Sequence, residues 1–153
     1  MHKRKRSVCD SWRMDETYIK VGGKYRYLYR AVDKYAYTVD FLLTKERMKG
    51  SAQKFLEKAI ENNGRPRVIN IDKSGANSAA IRTVNARSFN RIRHRSCKYL
   101  NNIVEQDYRN IKRKICISTG FEKFESAQRT LPEMEVMSII WKGQMTTSKS
   151  THF

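Results

Sequence analysis

The amino-acid sequence predicts an α/β domain built on one mixed five-stranded sheet with helices on its faces. Three observations predict it. The chain has 153 residues, the length of a single domain, and is large enough to bury one hydrophobic core. Its first part holds three short runs rich in Tyr, Val, Ile and Thr, separated by turn residues. Beyond residue 43 the apolar spacing changes to three and four, with short strand-like runs between the helical stretches.

The first run, about Arg13 to Val21, and the second, about Tyr25 to Val32, flank Gly22-Gly23. That pair supplies the positive φ a tight hairpin demands. The short link from Asp33 to Ala36 allows another reversal before the third run, about Thr38 to Leu43, so three antiparallel strands form a meander. Tyr25, Tyr27 and Tyr29 recur at period two and share one face. Such a stripe can stack bases or pack beneath a helix, and packing is the expected role. Met48, Ala52, Phe55, Leu56, Ala59 and Ile60 then form one apolar stripe of an amphipathic helix, which Gly64 ends and Pro66 follows. Val68 to Ile71 reads as a buried strand reached by a crossover, with Asp72 at its C-terminal end.

A helical stretch from about Asn77 to Asn85 and a basic strand from about Arg91 to Cys97 come next. From Asn101 to Ile115, Val104, Tyr108, Ile111 and Ile115 occupy one helical stripe, with Glu105, Arg109 and Lys112 on the adjoining face. The last helical region, Phe124 to about Lys142, contains Pro132, which is expected to kink it or start a new helix. This order of elements fits a ribonuclease H-like fold. Residues 1–11 read as a basic stub, 12–145 as the folded domain and 146–153 as a disordered tail.

Charge narrows the function. The 32 Lys and Arg against 15 Asp and Glu give a formal net charge of +17, which draws polyanions to the surface and makes nucleic acid the first partner to consider. The run from His2 to Arg6 can touch phosphates or simply be a solvated stub. Cys9, Cys97 and Cys116 lack the pairing or spacing of a disulfide framework or a zinc site. No apolar stretch reaches the roughly 18 residues of a membrane span, and no apolar run follows the basic start. A soluble, unsecreted protein with no membrane partner is expected.

Three acids fall where chemistry is possible: Asp15 in the first strand, Asp72 at the end of the fourth and Glu105 on the helix after the fifth. If the first and fourth strands are neighbours, the aspartates meet at one cleft and the glutamate can reach them. Converging carboxylates repel one another unless a hard cation neutralises them, which implies Mg²⁺ or Mn²⁺. Each acid also has an ordinary reading. Asp15 or its neighbour Glu16 can be a surface carboxylate, Asp72 a helix cap, and Glu105 a partner of Arg109 at helical spacing four.

Longer blocks bear on that choice. Trp-Arg-Met-Asp-Glu-Thr-Tyr-Ile-Lys-Val (12–21), Tyr-Leu-Tyr-Arg-Ala-Val-Asp-Lys (27–34), Ile-Asp-Lys-Ser-Gly-Ala-Asn (71–77), Lys-Tyr-Leu-Asn-Asn-Ile-Val-Glu-Gln-Asp-Tyr-Arg (98–109), Gly-Phe-Glu-Lys-Phe (120–124) and Lys-Gly-Gln (142–144) occur in this order. Together they resemble insertion-sequence transposases of the DDE type, most closely the insertion-sequence-six family, along nearly the whole chain.

The resemblance implies a catalytic domain in which Asp15, Asp72 and Glu105 bind two Mg²⁺ or Mn²⁺ ions, and in which element ends are cut and joined to target DNA. Water is the first nucleophile and the DNA 3′-hydroxyl the second, with no covalent protein intermediate. DNA is thus the implied partner, bound by a homo-oligomer in the bacterial cytoplasm and nucleoid. Lys73, Asn102, Arg109, Lys112, Arg113 and Lys114 are the residues expected to meet the DNA backbone; a solvated basic face is the alternative for some of them. His94, among arginines and without a ligand-spaced partner, is expected to be structural or DNA-facing.

Relatives of this type carry an N-terminal DNA-recognition region before the core, and here Trp12 stands almost at the start. Ile115-Cys116-Ile117-Ser118 and Leu131-Pro132-Glu133 also depart from the family pattern. The alternative reading is therefore a truncated, catalytically inactive DNA-binding remnant.

Overall fold

A computed structural model describes residues 7–47, 50–72, 75–117 and 123–144, the side chains of 114–117 excepted. Strand β1 (Ser11–Val21) turns through Gly22-Gly23 into β2 (Lys24–Asp33), and β3 (Thr38–Thr44) follows; helix α1 (Ser51–Asn63) leads to β4 (Val68–Ile71). Then come α2 (Gly75–Ala86), β5 (Arg93–Arg95), α3 (Lys98–Ile117) and α4 (Phe124–Trp141). Both glycines of the first turn have positive φ, 56° and 78°, which is why a two-residue connection can join β1 to β2.

The sheet order is β3-β2-β1-β4-β5. β1 is antiparallel to β2 and parallel to β4, and β4 is parallel to β5. The mixed five-stranded sheet and the neighbouring first and fourth strands are as expected from the sequence. The basic fifth strand is shorter than Arg91 to Cys97, since only three residues pair at this edge.

Each face of the sheet has its own core. On one, Trp12, Met14, Tyr29, Ala31, Ile69 and Ile71 pack against Phe55, Leu56 and Ala59 of α1 and Ala80, Ile81 and Val84 of α2. On the other, Ile19, Val21, Leu28 and Val32 meet Val104, Tyr108 and Ile111 of α3 and Ala127 and Leu131 of α4. Fully burying one of the larger apolar side chains contributes roughly 1.5–3 kcal/mol. The helical stripes therefore hold the sheet between two helical layers.

The tyrosine stripe on β2 is covered only at one end. Tyr29 is buried and stacks with Phe55 at a centroid distance of 6.0 Å, whereas Tyr25 is 65% exposed. α4 continues through Pro132 as one helix and does not start afresh there. Leu131 and Glu135, on either side of the proline, are both buried, so packing of both halves outweighs the roughly 3 kcal/mol an interior proline costs.

Candidate active site

Alternation along β1 decides which acid faces which layer. Trp12 and Met14 enter the core beneath α1 and α2, and Ile19 and Val21 the core beneath α3 and α4. Period two places Asp15 with the latter, facing α3. Glu16 faces the other way, where its carboxylate pairs with Arg47 at 2.5 Å. Of these two neighbours, Asp15 is on the side of α3, which carries Glu105.

The parallel register Met14↔Ile71 puts Asp72, one residue on, at the level of Asp15. Asp72 is exposed just beyond β4, and Glu105 is half-buried on α3. The Asp15 carboxyl, itself half-buried, is pushed up from 3.8 to about 6. Burial is the largest cause, and the negative charges of Asp72, Glu105 and Glu16 add to it, while the Glu16 N–H, donated to Asp15 Oδ1 at 2.8 Å, works against it. Asp15 thus feels the negative charge of both other acids.

Among the described residues, no three carboxylate, imidazole or thiol side chains stand close enough to hold a metal ion as placed. The two observations are compatible, because Coulomb repulsion reaches further than a ligand bond and itself keeps bare carboxylates apart. Among the described residues no Lys or Arg forms an ion pair with Asp15 or Glu105. Three carboxylates offer hard oxygen donors, the donor chemistry that suits a hard divalent cation.

Helix α3 is tied to the strands at the same level. The Tyr108 hydroxyl, one turn after Glu105, lies within hydrogen-bond reach of the Asp15 carbonyl and of the Leu28 carbonyl, the latter at 3.1 Å. Burial and the charge of Asp15 push the Tyr108 phenol upward, so it remains a donor. Arg30, the cross-strand partner of Asp15, is fully buried. Its guanidinium pairs with Asp107 of α3 at 2.5 Å and with Glu135 of α4. Lys142 adds a 2.8 Å contact to Asp107 and donates to Thr38 Oγ1 at 3.0 Å. Gln144 bonds both the N–H and the carbonyl of Thr38, at 2.9 and 2.7 Å.

A further tie fixes the start of α3. Asn70 in β4 donates to the Cys97 carbonyl at 3.0 Å and to the buried Asn101 side chain, and accepts the Cys97 N–H at 3.1 Å. None of Tyr108, Arg30, Asp107, Glu135, Lys142, Asn70 or Asn101 was singled out as functional from the sequence. The available signals were Arg30 inside the stretch Leu-Tyr-Arg-Ala-Val of β2 and an asparagine inside Val-Ile-Asn-Ile.

The expected DNA contacts divide. Asn102, Arg109, Lys112 and Arg113 are exposed on α3, and Arg109 and Lys112 continue the helical face of Glu105. Lys73 and the side chain of Lys114 lie outside the described residues, as do residues 1–6 and 145–153 and most of Ile115 to Ser118. His94 is exposed on the edge strand.

The fold and the placement of the acids define a class: a ribonuclease H-like domain with an aspartate on the first strand, an aspartate after the fourth and a glutamate on the helix that follows the fifth. Residues 9–144 match the DDE domain family, and the chain belongs to that family. It is 35% identical over 141 residues to the transposase for insertion sequence-like element IS431mec of Staphylococcus aureus strain Mu50, covering 92% of this chain and 62% of that protein. The same figures hold for the transposase for insertion sequence element IS257 in transposon Tn4003 of Staphylococcus aureus. The chain therefore spans 62% of the length of these relatives.

Among solved structures, the magnesium complex of the HTLV-2 integrase catalytic core domain, dimeric form, aligns over 71% of each chain with a TM-score of 0.57 and 22% identity. The catalytic core domain of BIV integrase aligns over 72% of this chain and 71% of its own with a TM-score of 0.53 and 12% identity. At such identities the likeness is one of fold. No helix among the described residues is long and apolar enough to cross a membrane.

Proposed function

We propose that this chain is the catalytic domain of an insertion-sequence DNA transposase that cuts DNA strands and joins the freed ends to target DNA. The observation that carries this reading is the match of residues 9–144 to the DDE domain family, and the register that sets Asp72 level with Asp15 supports it. The 35% identity to staphylococcal transposases and the raised proton affinity of the Asp15 carboxyl, caused by burial and by Asp72 and Glu105, agree with it. Asp15, Asp72 and Glu105 hold Mg²⁺ or Mn²⁺, and the magnesium of the HTLV-2 integrase core favours the same class of ion here. Two such ions supply activation of the nucleophile and stabilisation of the leaving oxygen when bound.

In the first reaction a water oxygen bonds to phosphorus and the bond from phosphorus to the 3′ oxygen breaks, leaving a 3′-hydroxyl. In the second, that oxygen attacks a target phosphodiester; one ester bond forms as one breaks, so no external energy source is needed. Asp15 and Asp72 approach from adjacent strand positions and Glu105 from α3, with Tyr108 holding that helix against the Asp15 main chain. Arg109, Lys112 and Arg113, with Lys73, Asn102 and Lys114, hold phosphates near the acids. DNA is the partner, as element ends and as target, and a homo-oligomer binds it in the bacterial cytoplasm and nucleoid. The dimeric form of the HTLV-2 integrase core and the intasome of simian T-cell lymphotropic virus support that assembly.

The test is a labelled DNA duplex incubated with the full chain and Mn²⁺ or Mg²⁺. Nicking is expected in the wild type and reduced at least about 100-fold by Asp72→Asn or Glu105→Gln with DNA binding kept, since even indirect metal partners cost 10- to 100-fold. DNA binding without metal-dependent nicking would instead identify an inactive remnant.

A further inference from the structure

The sheet edge carries a second basic surface, separate from the α3 residues already assigned to DNA. Arg82, Asn85 and Ala86 of α2 and the segment Arg91, Ile92, Arg93 and His94 enclose an open concavity of about 510 Å³ with no carboxylate in its lining. The arginines of this region fall into two groups. Arg65 bonds Asn85 at 3.1 Å, Arg67 faces Asp10 at 3.5 Å and Arg87 pairs with Glu57 at 3.2 Å. Arg91, Arg93 and Arg95 are exposed, and among the described residues their side chains form no ion pair or hydrogen bond within the protein.

An unpaired row on a strand edge also discourages edge-to-edge association, the ordinary role of charge at such positions. Two features go beyond that role. First, Arg91 and Arg93 line a concavity with Arg82 of α2, which is exposed and donates through Nε to the Ser78 carbonyl at 3.4 Å, and edge protection requires no such concavity. Second, its direction is functional: β5 runs parallel to β4 with Asn70 opposite Arg95, so the row ends one strand across and two residues short of Asp72. Like-facing Arg93 and Arg95 are about 6.6 Å apart by strand geometry, close to twice the roughly 3.4 Å axial rise per phosphate of one DNA strand. Arg95 also lowers the proton affinity of the buried Arg13 guanidinium, next to burial itself, which marks this edge as electropositive.

We propose that the α2–β5 edge is a phosphate-binding track for the DNA that flanks the cleavage point, with Arg82, Arg91, Arg93 and Arg95 as its contacts. The inference rests on the transposase reading above and adds a site that reading does not contain. Such contacts position a duplex without reading its sequence.

The experiment is fluorescence anisotropy of a labelled duplex against salt concentration, with the full chain, Arg91→Gln/Arg93→Gln, and a charge-matched control, Lys34→Gln/Arg129→Gln, away from this edge. Loss of two phosphate contacts lowers the magnitude of the slope of log affinity against log salt by about 1.8. The edge variant is expected to show that change and at least about 10-fold weaker binding at moderate salt, with an unchanged thermal melt, while the control changes the slope by less than half as much. Equal effects of both variants, or none from the edge variant, would overturn the track and leave only net charge or edge protection. In both cases Asp72-dependent nicking would still stand. If the wild type bound no DNA, the track and the transposase reading would fall together.

Discussion

Asp15 combines two demands that conflict in a bare protein. Burial and neighbouring negative charge favour its protonated form, so the folded state holds this proton more tightly than the unfolded chain does. The stability so gained is fully present below the ordinary value of 3.8 and is lost as pH rises through about 6, because above that point folding must bury an ionised carboxylate. Without metal, Asp15→Asn should therefore be more stable than wild type at pH 7, by about 1–2 kcal/mol after allowing for partial solvent exposure. The advantage should vanish near pH 4. Urea unfolding in chelator at both pH values measures it, and equal stability of the two proteins at pH 7 would refute the electrostatic account. The same substitution should remove any stabilisation of the fold by added Mn²⁺.

At the scale of elements, the tie between β1 and α3 is the point of interest. Tyr108 is on the same helix as Glu105 and reaches the main chain of Asp15, so its hydroxyl sets the spacing between two acids without touching either carboxylate. Tyr108→Phe keeps the buried ring and removes the donor. The expected outcome is a stability loss of about 1–2 kcal/mol and a roughly 10-fold fall in nicking rate, with DNA affinity unchanged. Parallel measurement of rate and binding checks it, and an unchanged rate would mean that packing alone positions α3. Most elements were legible from the chain because their signals are local: period two in β1 and β2, the Gly22-Gly23 turn, the apolar stripes of α1 and α3. β5 was overestimated because basic residues extend beyond the three that pair. Pro132 was misjudged as a possible helix start because a propensity rule contains no information about what Leu131 and Glu135 pack against.

Across the whole molecule, the residues with least local signature have the longest reach. Arg30 is separated from Asp107 by 77 residues and from Glu135 by 105, and no spacing rule connects residues so far apart. The candidate acids could be found from short blocks; the charges that brace them could not. Burial lowers the proton affinity of Arg30, yet Glu135 and Asp107 more than compensate and raise it overall, so the guanidinium stays ionised. Arg30→Ala should leave two buried acids without their shared partner and cost about 3–5 kcal/mol, lowering Tm by roughly 10 °C or more. A calorimetric melt decides it, and a shift of a degree or two would show the cluster to be dispensable.

Arg30 also imposes an order in time. Its charge stands directly across from Asp15 in the middle of the sheet, and one of its two carboxylate partners comes from α4, the later of the two helices. A nascent polypeptide emerging from the ribosome has made β1, β2, β4 and α3, and with them all three candidate acids, before Glu135 exists. Until then, closing α3 onto the sheet would bury Arg30 with Asp107 as its carboxylate partner and leave the guanidinium N–H that Glu135 accepts without that acceptor. Docking of α4 thus completes the polar bracing beside the three candidate acids only after the strands and the helix that carry them have been made.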